Sequence, residues 1–134
     1  MTYFLDTDIC AGFLNDSFPS IKAHFERTAD EQIRIPSVVA AELLYGAERS
    51  VRREDNINIV ITFLSLYDIV PFDKKAIVHY AAIRADLERR GRPLGGNALL
   101  IASTVLANEG ILITHNTGEF SRVSGLLTDD WAIK

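Results

Sequence analysis

Thr2-Tyr3-Phe4-Leu5-Asp6-Thr7-Asp8-Ile9-Cys10 decides the fold: a run of strand character ends at Asp6, and Ile9 to Leu14 then has the spacing of a brief helix. A buried strand passing directly into a helix is a β-α unit, and the alternation continues along the chain. Ser20 to Thr28 reads as a helix with Ile21 and Phe25 on one face and Ser20 as its cap. Gln32-Ile33-Arg34-Ile35 alternates as a strand. Pro36 and Ser37 open a helix to about Glu48, with Ser37 capping and Val38, Ala41 and Tyr45 at helical spacing. A helix from about Glu54 to Leu66 follows, with Ile57, Val60, Ile61 and Leu64 as its apolar stripe. Asp68 to Phe72 is a short strand. Asp73 is the cap of a long helix whose Ala76, Ile77, Tyr80, Ala81 and Leu87 are expected to face inward, and which stops at Gly91-Arg92-Pro93. Beyond Gly95-Gly96, Asn97 is the expected cap of a helix from Ala98 to Asn108 that is apolar nearly all round. Ile111 to Thr114 is a continuous apolar strand, Thr117 to Phe120 one turn of helix, and Leu126 to Thr128 a last strand before Trp131. Strands alternating with helices predict an α/β sandwich around a mainly parallel sheet.

The 134 residues, 48% of them hydrophobic, are expected to form one domain spanning 1–134, large enough to bury a core without disulfides or a structural metal. No internal repeat, low-complexity tract or linker divides it. Charges interrupt every apolar run before it reaches the ~18 residues of a membrane span, so no membrane association is expected. The single cysteine, Cys10, has no internal partner, and the opening residues lack a basic, apolar signal segment, which together predict a cytoplasmic protein. Lys and Arg number 14 against 18 Asp and Glu, a net charge of −4 that argues against a general nucleic-acid binder. The distribution qualifies the sum, because Arg49, Arg52 and Arg53 cluster, as do Arg89, Arg90 and Arg92. An acidic site within a locally basic surface gives the same total.

Ligands of parallel sheets bind at the carboxyl ends of the strands. Asp6 and Asp8 follow the first strand, Glu42 lies in the helix after the second, and His115, Asn116 and Glu119 follow the late apolar strand. Carboxylates delivered to one crevice repel one another, and the usual relief is a divalent cation. Hard oxygen ligands suit Mg²⁺ or Mn²⁺, which bind phosphate and activate water, so hydrolysis of a phosphoester is the implied chemistry. Bland readings stand beside these. Asp6 and Asp8 also suit the cap of the next helix, Glu42 an exposed helical stripe, Glu119 and His115 a solvated loop, and the arginine triplet a helix terminus favoured by the dipole.

As an ordered set, these residues resemble the PIN-domain ribonucleases, and closely the VapC toxins of bacterial toxin-antitoxin pairs. The resemblance runs through Phe4-Leu5-Asp6-Thr7-Asp8-Ile9-Cys10, Ala40-Ala41-Glu42-Leu43-Leu44-Tyr45-Gly46-Ala47-Glu48, Ile83-Arg84-Ala85-Asp86-Leu87 with Gly91-Arg92-Pro93-Leu94-Gly95, and Ile113-Thr114-His115-Asn116-Thr117-Gly118-Glu119-Phe120. It implies a three-layer α/β/α sandwich and a Mg²⁺ or Mn²⁺ site formed by Asp6, Glu42, Glu119 and an acid at position 98. It also implies an endoribonuclease acting on tRNA, in the anticodon region of the initiator, that forms homodimers and is neutralised by a VapB-type antitoxin. Arg89, Arg90, Arg92, His115 and Asn116 are the candidate RNA contacts.

One departure is serious. Where the family has Asn-Asp-Leu-Leu-Ile-Ala, this chain has Asn97-Ala98-Leu99-Leu100-Ile101-Ala102, so Ala98 stands at a vacant ligand position. Alanine keeps helix propensity and deletes only the carboxylate, the change chosen to silence a toxic nuclease, although a natural inactive homologue would carry it too. The chain is therefore expected to be an inactivated variant. Asp8 and Gly96 are smaller departures, from Asn and Pro. Two other readings compete: a haloacid-dehalogenase-like phosphatase, for which Cys10 is misplaced and no separate lysine segment exists, and a non-catalytic PIN-like module that binds RNA or protein.

Overall fold

The first strand, β1 (Tyr3–Leu5), occupies the centre of the sheet. The computed structural model describes residues 1–133; Lys134, the last residue of the expected domain, lies outside the described residues. After β1 come α1 (Thr7–Leu14), α2 (Pro19–Arg27), a single 3₁₀ turn, β2 (Ile33–Pro36), α3 (Ser37–Glu48) and α4 (Arg53–Leu64). The second half holds β3 (Asp68–Val70), α5 (Lys74–Arg89), α6 (Gly96–Ala107), β4 (Ile111–Ile113), α7 (Thr117–Phe120) and β5 (Leu127–Asp129). The strand order is β3-β2-β1-β4-β5 and every pairing is parallel. This is the α/β architecture expected from the alternation of elements.

The chain leaves β1 toward β2 on one side and later returns to β4 on the other, so the strand order reverses at β1. That reversal opens a crevice at the carboxyl ends of the strands. Phe4, Leu5, Leu112 and Ile113 are fully buried, as continuous apolar runs in a parallel sheet require. The edge strands are short and carry exposed Asp68 and Asp129, which discourages further pairing. Helix α6 is buried nearly all round, and its polar residues Ser103 and Thr104 donate to the carbonyls of Leu99 and Leu100 at 2.6 and 2.8 Å.

Several boundaries move for identifiable reasons. Helix α1 begins at Thr7 rather than Ile9 because Asp6 caps it. Ser20 is not the cap of α2; Pro19 fills the first turn and the Ser20 hydroxyl instead donates to the Trp131 carbonyl at 2.7 Å. Pro36, not Ser37, precedes α3, and Gly95, not Asn97, precedes α6. Asp73 does cap α5, accepting from the Ala76 N–H at 3.2 Å.

Some inward faces also differ. Helix α3 buries Val39, Ala40, Leu43 and Ala47, while Tyr45 is 63% exposed. In α4, Phe63 is buried and Ile61 exposed, and in α5, Ile83 is buried while Ile77 and Ala81 face outward. These helices carry apolar residues around much of their circumference. Periodicity alone therefore leaves the inward face open, and packing of α3 on α4 and α5 on α6 chooses it.

Gly110 lets β4 approach β1 closely: a Cβ there would lie 2.3 Å from the Phe4 ring and 3.2 Å from the Thr2 carbonyl oxygen. Gly110→Ala is expected to destabilise the protein by about 1–3 kcal/mol through overpacking. Urea unfolding measures it, and a change below ~0.5 kcal/mol would mean that Phe4 moves aside freely.

Candidate active site

Asp6 leaves the end of β1 nearly buried, at 8% exposure, and its carboxylate is doubly engaged. Oδ1 accepts from the Thr7 backbone N–H at 2.8 Å, and Oδ2 accepts from the Thr114 hydroxyl at 2.7 Å. Asp6 thus caps α1, and its side chain also lies at an open cleft. Asp8 is not the cap. It accepts from the His115 N–H at 3.2 Å, which ties α1 to the segment after β4.

Glu42 is half-buried on α3, less enclosed than its apolar sequence neighbours suggest. Its oxygens accept from the Thr7 hydroxyl and, at 3.0 Å, from the Asn97 side-chain amide. Asn97, expected to cap α6, thus works across the cleft instead. Glu119 accepts from the Asn116 side-chain amide.

Asp6, Asp8, Glu42, Asn97, Ala98, Asn116 and Glu119 line one open cavity of about 330 Å³. The predicted carboxylates therefore share a cleft, and Ala98 lines it with them. His115 does not line it; its ring nitrogen Nδ1 lies 2.9 Å from an Asp130 carboxylate oxygen, and the ring packs against Phe18. Of the arginine triplet, Arg90 has a structural task. It pairs with Asp86 at 2.8 Å and donates to the Arg122 carbonyl at 2.6 Å. Arg89 and Arg92 are exposed.

Sequence reasoning assigned no role in the site to Thr7 or Thr114 and gave Asn97 only a capping role. The available signal was position: each is a hydroxyl or amide residue at a strand or helix end beside a candidate acid.

The crowding shows in the electrostatics. Burial, reinforced by the charge of Asp8, pushes the Asp6 carboxyl up to about 6 against the pull of its Thr114 and Thr7 hydrogen bonds, and Glu42 adds to the rise. Desolvation raises Asp8 as well. Desolvation holds the buried Cys10 thiol well above its usual range, so it is no nucleophile. The donors facing the cleft are all oxygens or amides, which fits a hard divalent cation in kind. Among the described residues, however, no three Asp, Glu, His or Cys side chains stand close enough to hold a cation between them.

A parallel sheet with an acidic cleft at its reversal point defines the class, and the PIN domain family model matches residues 3–126. The tRNA(fMet)-specific endonuclease VapC of Shigella flexneri is 37% identical over 132 residues, covering 98% of this chain and 99% of that one. Ribonuclease VapC2 of Rickettsia felis is 38% identical over 132 residues, covering 98% of each. The crystal structure of VapBC2 from Rickettsia felis bound to promoter DNA superposes with a TM-score of 0.91 at 37% identity, over 98% of this chain and 99% of that chain. The chain belongs to the VapC ribonucleases of the PIN-domain family.

The raised Asp6 value has a testable sign. Between the ordinary value of 3.8 and about 6, the folded state holds a proton that the unfolded chain releases. The Asp6 contribution to stability is therefore present below the lower value and lost as pH rises through the higher one. In EDTA, the stability of Asp6→Asn relative to the parent should rise by up to ~3 kcal/mol between pH 4 and pH 7. Denaturant unfolding at the two pH values measures it, and a slope of opposite sign would place Asp6 in a stabilising ion pair.

Proposed function

We propose that the natural form of this protein is a Mg²⁺- or Mn²⁺-dependent endoribonuclease toxin that cleaves tRNA, in the anticodon region of the initiator, and that Ala98 silences the present chain. The observation that carries the reading is the cleft itself, which Asp6, Glu42, Glu119 and Ala98 line together. A carboxylate at position 98 would add a further acid to that lining. The bound cation supplies charge neutralisation for the scissile phosphate and a more acidic water.

The chain's own residues do the positioning. Thr114 and the Thr7 N–H hold Asp6 in one orientation toward the cleft, while the Thr7 hydroxyl and Asn97 hold Glu42. Asp6 and the acid at 98 would take the cation directly. Glu42 and Glu119, with Asn116 steadying the latter, would orient water for in-line attack or support a second cation. Exposed Arg89 at the end of α5 and Arg92 beyond it would take RNA phosphates, with Asn116 in the cleft and His115 next to it in the chain.

A VapB-type antitoxin is the partner, as in the VapBC complexes of Rickettsia felis and Salmonella typhimurium. A homodimer is expected, for which exposed Ile77 and Val78 on α5 supply apolar surface. A cytoplasmic address suits a tRNA substrate, and no helix among the described residues is long and apolar enough to cross a membrane. The vacancy at 98 favours one other reading, a non-catalytic PIN-like module that binds RNA or protein.

Ala98→Asp separates the two. With total tRNA and Mn²⁺, the substituted protein should cleave and the Ala98 chain should not; a silent Ala98→Asp protein would favour the module. Added to it, Asp6→Asn or Glu42→Gln should abolish cleavage without unfolding. Thermal unfolding gives an independent measure. At about 100 times the dissociation constant, Mn²⁺ should stabilise the Ala98→Asp protein by roughly 2.7 kcal/mol and the Ala98 chain by much less. Equal shifts would remove position 98 from the metal site.

A further inference from the structure

The basic cluster of Arg49, Arg52 and Arg53, between the end of α3 and the start of α4, has no part in the cleft. Two of its members are engaged: Arg53 pairs with Glu48 at 2.7 Å and Arg52 with Asp55 at 3.4 Å. Arg49 has no carboxylate partner among the described residues. Its guanidinium carbon stands instead over the ring of Tyr45, 5.6 Å from the centroid. Tyr45 is itself 63% exposed, so a ring that meets a cation on one side stays open to solvent on the rest of its surface.

A single exposed tyrosine is ordinary, but the position of this one is not. Glu42, Tyr45 and Arg49 follow one another at i, i+3 and i+7 on α3 and therefore share a stripe of its surface. Side chains at the first of those spacings stand about 5–6 Å apart at Cβ, so the ring lies one helical step from a carboxylate that lines the cleft. The neighbours of Tyr45 at three and four residues are Ala41, Glu42, Glu48 and Arg49. Three of the four are charged, which leaves an apolar face of a protein partner little to cover around the ring.

We propose that Tyr45 is a stacking platform for an unpaired base of the RNA strand next to the phosphate held in the cleft, with Arg49 steadying the ring and taking a neighbouring phosphate. The assignment rests on the ribonuclease reading above. Acids in the cleft repel RNA, and a chain of net charge −4 draws it in weakly from a distance, so affinity must come from contacts beside the cleft. Stacking supplies it without relying on net charge, and it accepts any base because every base has a π-face. It also selects single strands, since a paired base keeps both faces inside the duplex. Arg49 suits the accompanying role because, unlike Arg52 and Arg53, it would leave no carboxylate behind on turning to a phosphate.

The test measures fluorescence anisotropy of a labelled single-stranded RNA octamer and of a duplex of the same sequence, with the Ala98 chain in EDTA so that nothing is cut. Tyr45→Ala should weaken single-strand binding about tenfold and leave duplex binding within twofold, and Tyr45→Phe, which keeps the ring, should bind as the parent does. Arg49→Gln should lower the salt slope by about 1. In the Ala98→Asp background, Tyr45→Ala should raise KM for tRNA about tenfold. Single-strand affinity untouched by Tyr45→Ala, an equal loss on duplex, or a Tyr45→Phe protein as weak as Tyr45→Ala would overturn the proposal. So would a Tyr45→Ala protein that loses affinity for a VapB-type antitoxin and none for RNA, which would make the ring a protein contact. Binding of the single strand through Tyr45 by a chain whose Ala98→Asp form cuts no RNA would uphold the platform and overturn the ribonuclease reading, so the two failures are distinguishable.

Discussion

The carboxylate of Asp6 ties together three elements of the structure at the head of the cleft. Through one side chain it starts α1 by capping the Thr7 N–H and joins the end of β1 to the residue after β4 through Thr114. The backbone repeats the join, because the Asp6 N–H donates to the Ile113 carbonyl at 2.8 Å. The central strand, its helix and its later neighbour therefore meet at a carboxyl whose pKa burial raises to about 6. Such a group is tolerated when the hydrogen bonds that compensate it also position it for work.

From that point the cleft assembles by short reaches. Thr7 belongs to α1 through its backbone and to Glu42 through its hydroxyl, so the carboxylates of β1 and α3 share a single residue as support. Asn97 bridges from α6 to the same glutamate. Ala98 lines the cleft without contributing a charge or a side-chain hydrogen bond, as do Ile101 and Phe120, and it sits next to that bridge. A methyl group there adds no further like charge to a cleft already crowded with acids.

Much of this was legible in the residues. The order of elements follows from the switch between short apolar runs and helical spacing, and a buried Asp at a strand end already marked the cleft. Three things were not legible, each for a physical reason. The inward faces of α3, α4 and α5 depend on their helical partners, because apolar residues such as Tyr45, Ile61 and Ile77 gave competing stripes. Asn97 looked like a cap because Asn before an apolar helix usually is one, and only the position of Glu42 across the cleft gives it another acceptor. The threonines were silent because a hydroxyl gains meaning only from the acid it faces.

The basic residues follow the same logic. In a chain of net charge −4, arginines near an acidic cleft look like phosphate contacts. Arg90 and Arg122 show that some instead serve the backbone, fastening the loop after α5 to the helix that carries Glu119. A guanidinium suits that task because it offers several donors in a planar fork, enough for Arg90 to hold a carboxylate and a carbonyl at once. The loop ahead of position 98 contains Gly91, at φ +67, together with Gly95 and Gly96, and has little order of its own to contribute. Its placement is imposed from both sides, by the arginine clamp and by Leu94 buried in the core. The cleft can then present its acids from separate elements because the scaffold holds those elements in register.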